Sequence, residues 1–258
     1  MKKDKQIEDL REFLDQKVEE YNRPEFLASD PIQIPHKFTD KRDIEISGFL
    51  TATIAWGNRK SIINNASQLM DLMDQAPYHY VMHAQAQDLN SLDEFVHRTF
   101  NGADLRYFIH GLRHIYTRYG GMEAVFSKYA EDDTLQQAIA MFRTHFFELD
   151  HEKRTEKHLS DPSRGSAAKR INMFLRWMVR DGLSGVDFGL WPSLKPSQLS
   201  CPLDVHSGKV ARKLGLLTRT QNDARAVQEL DANLRRLDPE DPVKYDFALF
   251  GLGVFEKF

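Results

Sequence analysis

The chain has one cysteine, Cys201, in 258 residues. An intramolecular disulfide is therefore impossible, and so is any all-thiolate zinc or iron–sulfur site, which needs several such ligands. A reducing cytoplasm is the expected location. No apolar stretch is long enough to span a bilayer, and the start, Met1-Lys-Lys-Asp-Lys-Gln, lacks the apolar core of a signal peptide. Neither export nor anchoring is expected. Internal repeats and low-complexity tracts are missing too, which excludes solenoids and disordered tails. What is present is ordinary: 41% hydrophobic and 11% aromatic residues, enough for one large core or two modest ones.

Net charge is also small, at −3, yet it is unevenly spread. Residues 164–219 hold ten basic groups (Arg164, Lys169, Arg170, Arg176, Arg180, Lys195, Lys209, Arg212, Lys213, Arg219) against three acids (Asp181, Asp187, Asp204). That is a local excess of seven positive charges, and the remainder carries an excess of ten negative ones. A basic segment of this kind can capture a phosphate backbone although the whole protein is acidic. Its plain alternative is a solvated helix face.

Apolar spacings of three and four predict helices almost throughout. Ile7, Leu10, Leu14 and Val18 give one over 5–21, and the prolines at 24, 31 and 35 make 22–42 a connector. A strongly apolar helix runs from Asp43 to Trp56, with Gly57 and Asn58 as its C-cap, and a second covers about 60–74. Ser91-Leu-Asp-Glu94 has the form of a capping box. Helices are expected over 104–119, ended by Gly120-Gly121, and over 134–149. His110 and His114 lie one turn apart, but no third ligand stands near them, so no metal site is assigned. Later helices cover 169–180, the stretch after Asp204, and 221–237, and Asp241-Pro242 opens the last one.

The stretch that carries chemistry is Gly165-Ser-Ala-Ala-Lys169, a following helix, a Pro-rich loop, and Cys201-Pro-Leu-Asp-Val-His-Ser-Gly-Lys-Val-Ala-Arg-Lys-Leu-Gly-Leu216. It resembles the helix-hairpin-helix DNA glycosylase superfamily, which includes endonuclease III and the 8-oxoguanine glycosylases. The long spacing from Lys169 to Asp204 is closest to the archaeal 8-oxoguanine branch. Sequences of this general form also occur in a bacterial family of unassigned function. Two departures stand out: Ala167 replaces the second glycine of a Gly-x-Gly-x-Lys hairpin, and no Leu-Pro precedes it.

The resemblance, which extends over about 43–255, implies an all-α, two-lobed fold. One lobe would cover 43–150, and the other 151–258 with the helix 5–21. It implies removal of a damaged base, of the oxidised class, from double-stranded DNA by a monomer without cofactor or metal. Lys169 would attack C1′ and form a Schiff base, with strand cleavage as a possible second activity, while Asp204 would stabilise positive charge growing on the sugar. An amine attacks only when neutral, a form that desolvation or cations such as Arg170 favour. Gly165, Arg170, His206, Lys209 and Lys213 would hold phosphates, and Met173 and Trp56 would face an extruded base. The alternatives are that Asp204 is only an N-cap and Lys169 one cation among several. The chain would then be a non-catalytic DNA-binding protein, or a module directed at RNA.

Overall fold

The computed structural model describes residues 2–258, with side chains from residue 5 onward. These residues are 65% helix and 2% strand, with no barrel, so the class is all-α. They form two compact units: residues 1–26, 130–137 and 161–258 make one, and residues 27–129 and 138–160 the other.

Helix α1 (Lys2–Tyr21) opens the first of these units. The connector after it is a run of 3-10 turns, Pro24–Ser29, Pro31–Gln33 and Pro35–Lys37, each started by a proline whose missing N–H costs nothing there. Next, α2 (Lys41–Thr53) is capped by Asp40, which accepts the Arg42 N–H at 2.9 Å, and it is buried from Ile44 to Thr53. Gly57 and Asn58 do not terminate it. Asn58 instead caps α3 (Arg59–Leu72) by accepting the Ser61 N–H at 3.1 Å, because a short side-chain oxygen satisfies a helix-start donor better than it shields an end.

After α4 (Pro77–His83) and α5 (Ala86–Leu89), Ser91 falls in a 3-10 turn and its hydroxyl donates to the Asp88 carbonyl. The capping box expected there lies elsewhere. Behind a minimal hairpin, β1 (Val96–His97) and β2 (Phe100–Asn101), Asn101 and Asp104 exchange side-chain and backbone bonds to start α6 (Gly102–Tyr119). Left-handed Gly120 (φ 80°) ends it, and α7 (Met122–Lys128) follows. Phe49, Phe108, Phe142 and Phe146 cluster in the core of the second unit, residues 27–129 and 138–160, mostly edge-on or tilted, with Phe108 and Phe146 4.9 Å apart. Of the paired histidines, His110 is exposed and His114 bonds Glu148 at 2.8 Å. Among the described residues no His, Cys, Asp or Glu cluster could hold a metal, and no helix is long and apolar enough to cross a membrane.

Helix α8 (Gln136–Phe146) precedes two 3-10 turns, and the remaining helices are α9 (Lys169–Val179), α10 (Val205–Lys213), α11 (Ala224–Leu237) and α12 (Tyr245–Val254). Leu14 of α1, Val210 and Ala211 of α10, Leu230 of α11 and Leu249 of α12 share one core. Pro242 starts a 3-10 turn rather than α12 itself, and Asp241 makes no capping bond because its carboxylate is taken by Arg180. Gly251 is where α1 meets α12: a Cβ there would lie 2.1 Å from the Tyr21 ring. Gly251→Ala should gain up to about 1 kcal/mol in helix propensity and lose about 1–3 kcal/mol to overpacking. A lower melting temperature is therefore expected, with recovery when Tyr21 is also cut back to Ala.

Candidate nucleic-acid and catalytic site

The turn before α9 is a 3-10 turn, Pro162–Arg164, followed by exposed Gly165 in a left-handed conformation (φ 88°). The Gly165 carbonyl accepts the Ala224 N–H at 3.0 Å, which ties the turn to the start of α11. Ala167, in the place of the second glycine, is not among the residues with positive φ; the left-handed one is buried Ala168 (φ 47°). The substitution is therefore free of backbone strain, while Ala168 costs about 1–2 kcal/mol that its burial and its bonds to Ser166 and Asn172 offset. No side chain caps α9 and no acid lies in its first turn, which starts with Lys169 and Arg170. Cations at this end oppose the helix dipole, and the same end favours an anion.

Lys169 is half-buried, with its amine 3.5 Å from the Met173 sulfur. Among the described residues it has no ion-pair partner. Burial pushes the Arg170 guanidinium down to about 10, still cationic at neutral pH. Asp204 is the N-cap of α10: its Oδ1 accepts the N–H groups of His206 at 2.8 Å and Ser207 at 3.0 Å, and its own N–H donates to the Ser207 hydroxyl oxygen at 2.9 Å. Each recorded bond to the carboxylate ends on Oδ1. Asn222 reaches across from the next loop to hold the Asp204 carbonyl at 2.7 Å and the Arg212 guanidinium at 2.6 Å. His206, Lys209 and Lys213 are exposed on α10, whose other face buries Val210 and Ala211.

Lys169, Met173 and Arg176 succeed one another at four and three residues, so they share one face of α9. Arg176 ends that face on buried Asp246 of α12, 2.5 Å away. The Asp246 carboxyl is pushed up by burial; Arg176 and Lys169 oppose the shift, and Asp204 adds to it. Lys169 and Asp204, 35 positions apart in sequence, are thus both felt by one buried carboxylate.

Residues 30–255, which include this whole arrangement, match the family described as "Protein of unknown function (DUF2400)". The chain belongs to the DUF2400 family. No curated protein and no solved structure matches it.

In this DUF2400 chain, part of the basic segment faces inward. Arg176 and Arg180, 4% and 5% exposed, share Asp187 (3.3 and 2.5 Å), and Arg180 also grips Asp241 at 2.8 Å. Arg212 donates to the Arg219 carbonyl at 2.7 Å, and Arg219 pairs with Asp223. Four of the ten cations are therefore bound within the protein, which corrects the count of those able to meet a phosphate. Two arginines four residues apart, one in the apolar second half of α9 and one just past its end, are the sequence signal for this network. Asp246 and Asn222 gave no comparable signal, since their partners are distant in sequence.

Trp56 lies in the other unit, half-buried, with the His97 ring edge-on at 5.0 Å and the His158 ring 6.0 Å away. Met173 is 8% exposed and lies against Lys169, on the same side as expected.

Two predictions follow from the buried charges. Asp187→Ala would leave two buried guanidinium groups short of a partner, so a loss of about 3–5 kcal/mol is expected in urea denaturation. Burial also pushes the Asp231 carboxyl, whose Oδ1 accepts the Cys201 N–H at 2.9 Å, up from 3.8 to about 6. Between those values the folded state holds a proton that the unfolded state has released, so this group's contribution to stability falls as pH rises from about 4 to 6. Asp231→Asn should flatten that part of the stability–pH curve and raise stability at pH 7.5, by on the order of 2–3 kcal/mol.

Proposed function

We propose that this protein is a DNA glycosylase that removes a damaged base through Lys169, with Asp204 as the counter-charge. One observation carries the proposal: an amine with no ion-pair partner among the described residues stands at an uncapped helix start, on the face of α9 that ends at Asp246, and the cap bonds of Asp204 occupy Oδ1 alone. The glycosidic bond between C1′ and the base nitrogen breaks, and the base leaves with the electron pair and takes up a proton. The neutral Lys169 amine forms the new bond to C1′; of its two protons one balances the proton taken up by the base, and the other passes to O4′ as the C1′–O4′ bond breaks and the ring opens to an imine. Positive charge on the sugar peaks before that bond is complete, and Asp204 Oδ2 is the group that meets it. The fold under this proposal is the helix-hairpin-helix glycosylase fold, and the partner is duplex DNA with its damaged nucleotide turned out of the stack.

Exposed His206, Lys209 and Lys213, with Gly165 and Arg170 at the α9 turn, supply the phosphate contacts under this proposal. Because binding then releases counterions, affinity for duplex DNA should fall steeply with salt. Filter binding at two salt concentrations checks this, and salt-insensitive binding or no binding would exclude both a glycosylase and a simple DNA-binding protein. The latter is favoured by one observation, that Asp204 is satisfied as a cap.

Chemistry separates the two. Incubation with oligonucleotides bearing oxidised purines or an abasic site, followed by borohydride, should trap a covalent adduct that Lys169→Gln does not form. Asp204→Asn keeps an acceptor for the cap, so it should bind damaged DNA normally and release the base about 100-fold or more slowly. An adduct undiminished in Lys169→Gln would move the nucleophile to another residue. Absence of base release across a broad panel of lesions would leave the non-catalytic protein.

A further inference from the structure

Within the unit that contains α9 to α12 lies a cavity of about 560 Å³ that the proposed chemistry does not use. Its walls combine three kinds of group. Pro162, Ala224 and Val227 are apolar; Glu131 and Asp133 are exposed acids; and Asp231, 4% exposed, is a buried one. Arg235 also lines the cavity, yet its charge is largely spent on the chain: its Nη2 donates to the carbonyls of Asp133 at 2.9 Å, Leu199 at 3.0 Å and Ser197 at 3.2 Å. Its approach to Asp231 is a 4.0 Å contact from Nη1. Asp231 is thus a buried carboxylate that the Cys201 N–H, at 2.9 Å, and the Ser200 side chain hydrogen-bond, but whose one cationic neighbour is distant. Asp223, closely paired with Arg219 at the surface, is lowered to about 2, whereas Asp231 is raised to about 6.

A buried carboxylate that is poorly compensated gains most from a cation delivered to it, since the ligand restores what burial removed. Three acids against one engaged arginine select positive charge, and the apolar wall favours a carbon body behind it. We propose that this cavity is a binding site for a small organic cation, an alkyl ammonium or aryl amidinium, with its charged head on Asp231. The site does not depend on glycosylase activity, because Lys169 and Asp204 are not among its lining residues.

Calorimetric titration of the full-length protein at pH 7.5 with benzamidinium and butylammonium tests the site, with neutral benzamide as control. At least one cation should bind saturably and at least tenfold more tightly than benzamide. Asp231→Asn should lose that preference while keeping its circular dichroism spectrum. Ala232→Trp, which narrows the mouth from an exposed position and leaves Asp231 in place, should weaken binding of the cation. Failure of both cations to bind overturns the proposal, and so does equal binding of benzamide, or a cation preference that survives in Asp231→Asn.

Discussion

Two buried arginines, one on α9 and one at its C-terminal end, constrain this protein more than any other feature. A helix buried from Ile171 to Val179 would ordinarily be apolar on all sides, and Arg176, with Arg180 just beyond the helix end, would be ruinous there without carboxylates. The carboxylates come from three places: Asp187 in the long loop, Asp241 before the last 3-10 turn, and Asp246 on α12. Each must be in position for the others to be tolerated. The loop therefore folds back over the end of α9, where Phe188 and Trp191 donate their N–H groups to the Trp177 and Met178 carbonyls at 2.8 and 3.1 Å. Satisfying two guanidinium groups also satisfies the helix end.

The same requirement reaches the candidate site. Asp246 is held by Arg176, two turns along α9 from Lys169, and α12 packs with Gly253 against the start of α10, where a Cβ would come within 3.2 Å of His206. The start of α10 is where Asp204 sits. Lys169 shares its helix face with Arg176, so the geometry that settles the arginine also settles which way the lysine points. A polar core network here specifies position rather than adding net stability, since its desolvation cost is comparable with its attraction.

Helices were legible in the sequence wherever one face was apolar, as in α3, α6 and α11, because spacing alone carries that information. Boundaries were less so. Asn58 reads as an end and is a beginning; Ser91 has the right partner at the right spacing and makes a turn; Asp241 precedes a proline and is claimed by Arg180. In each case a bond to a residue outside the local window decides, and a local pattern cannot register it. The +7 segment overstates the exposed charge for the same reason: counting charges gives their number and leaves out their direction, and four of the ten cations turn to partners within the protein. For the candidate site, Lys169 and Asp204 were legible only through their resemblance to a known motif. The pairing of buried Asp246 with Arg176 was not, because an Asp in an apolar run gives no hint of an arginine 70 positions earlier.

Capping and charge stabilisation were opposed as accounts of Asp204, and the geometry removes the opposition. A carboxylate has two oxygens and about four lone-pair sites. The two N–H groups at the start of α10 and the Ser207 hydroxyl draw on Oδ1, which anchors the side chain in one rotamer. An Asp held in this way is a preorganised negative charge, which is what a developing sugar cation needs and what a freely rotating surface Asp would supply poorly. Under the proposed function the cap is therefore the means by which the residue acts. It also explains why asparagine, which preserves the cap and removes the charge, separates the two roles where alanine would confuse them.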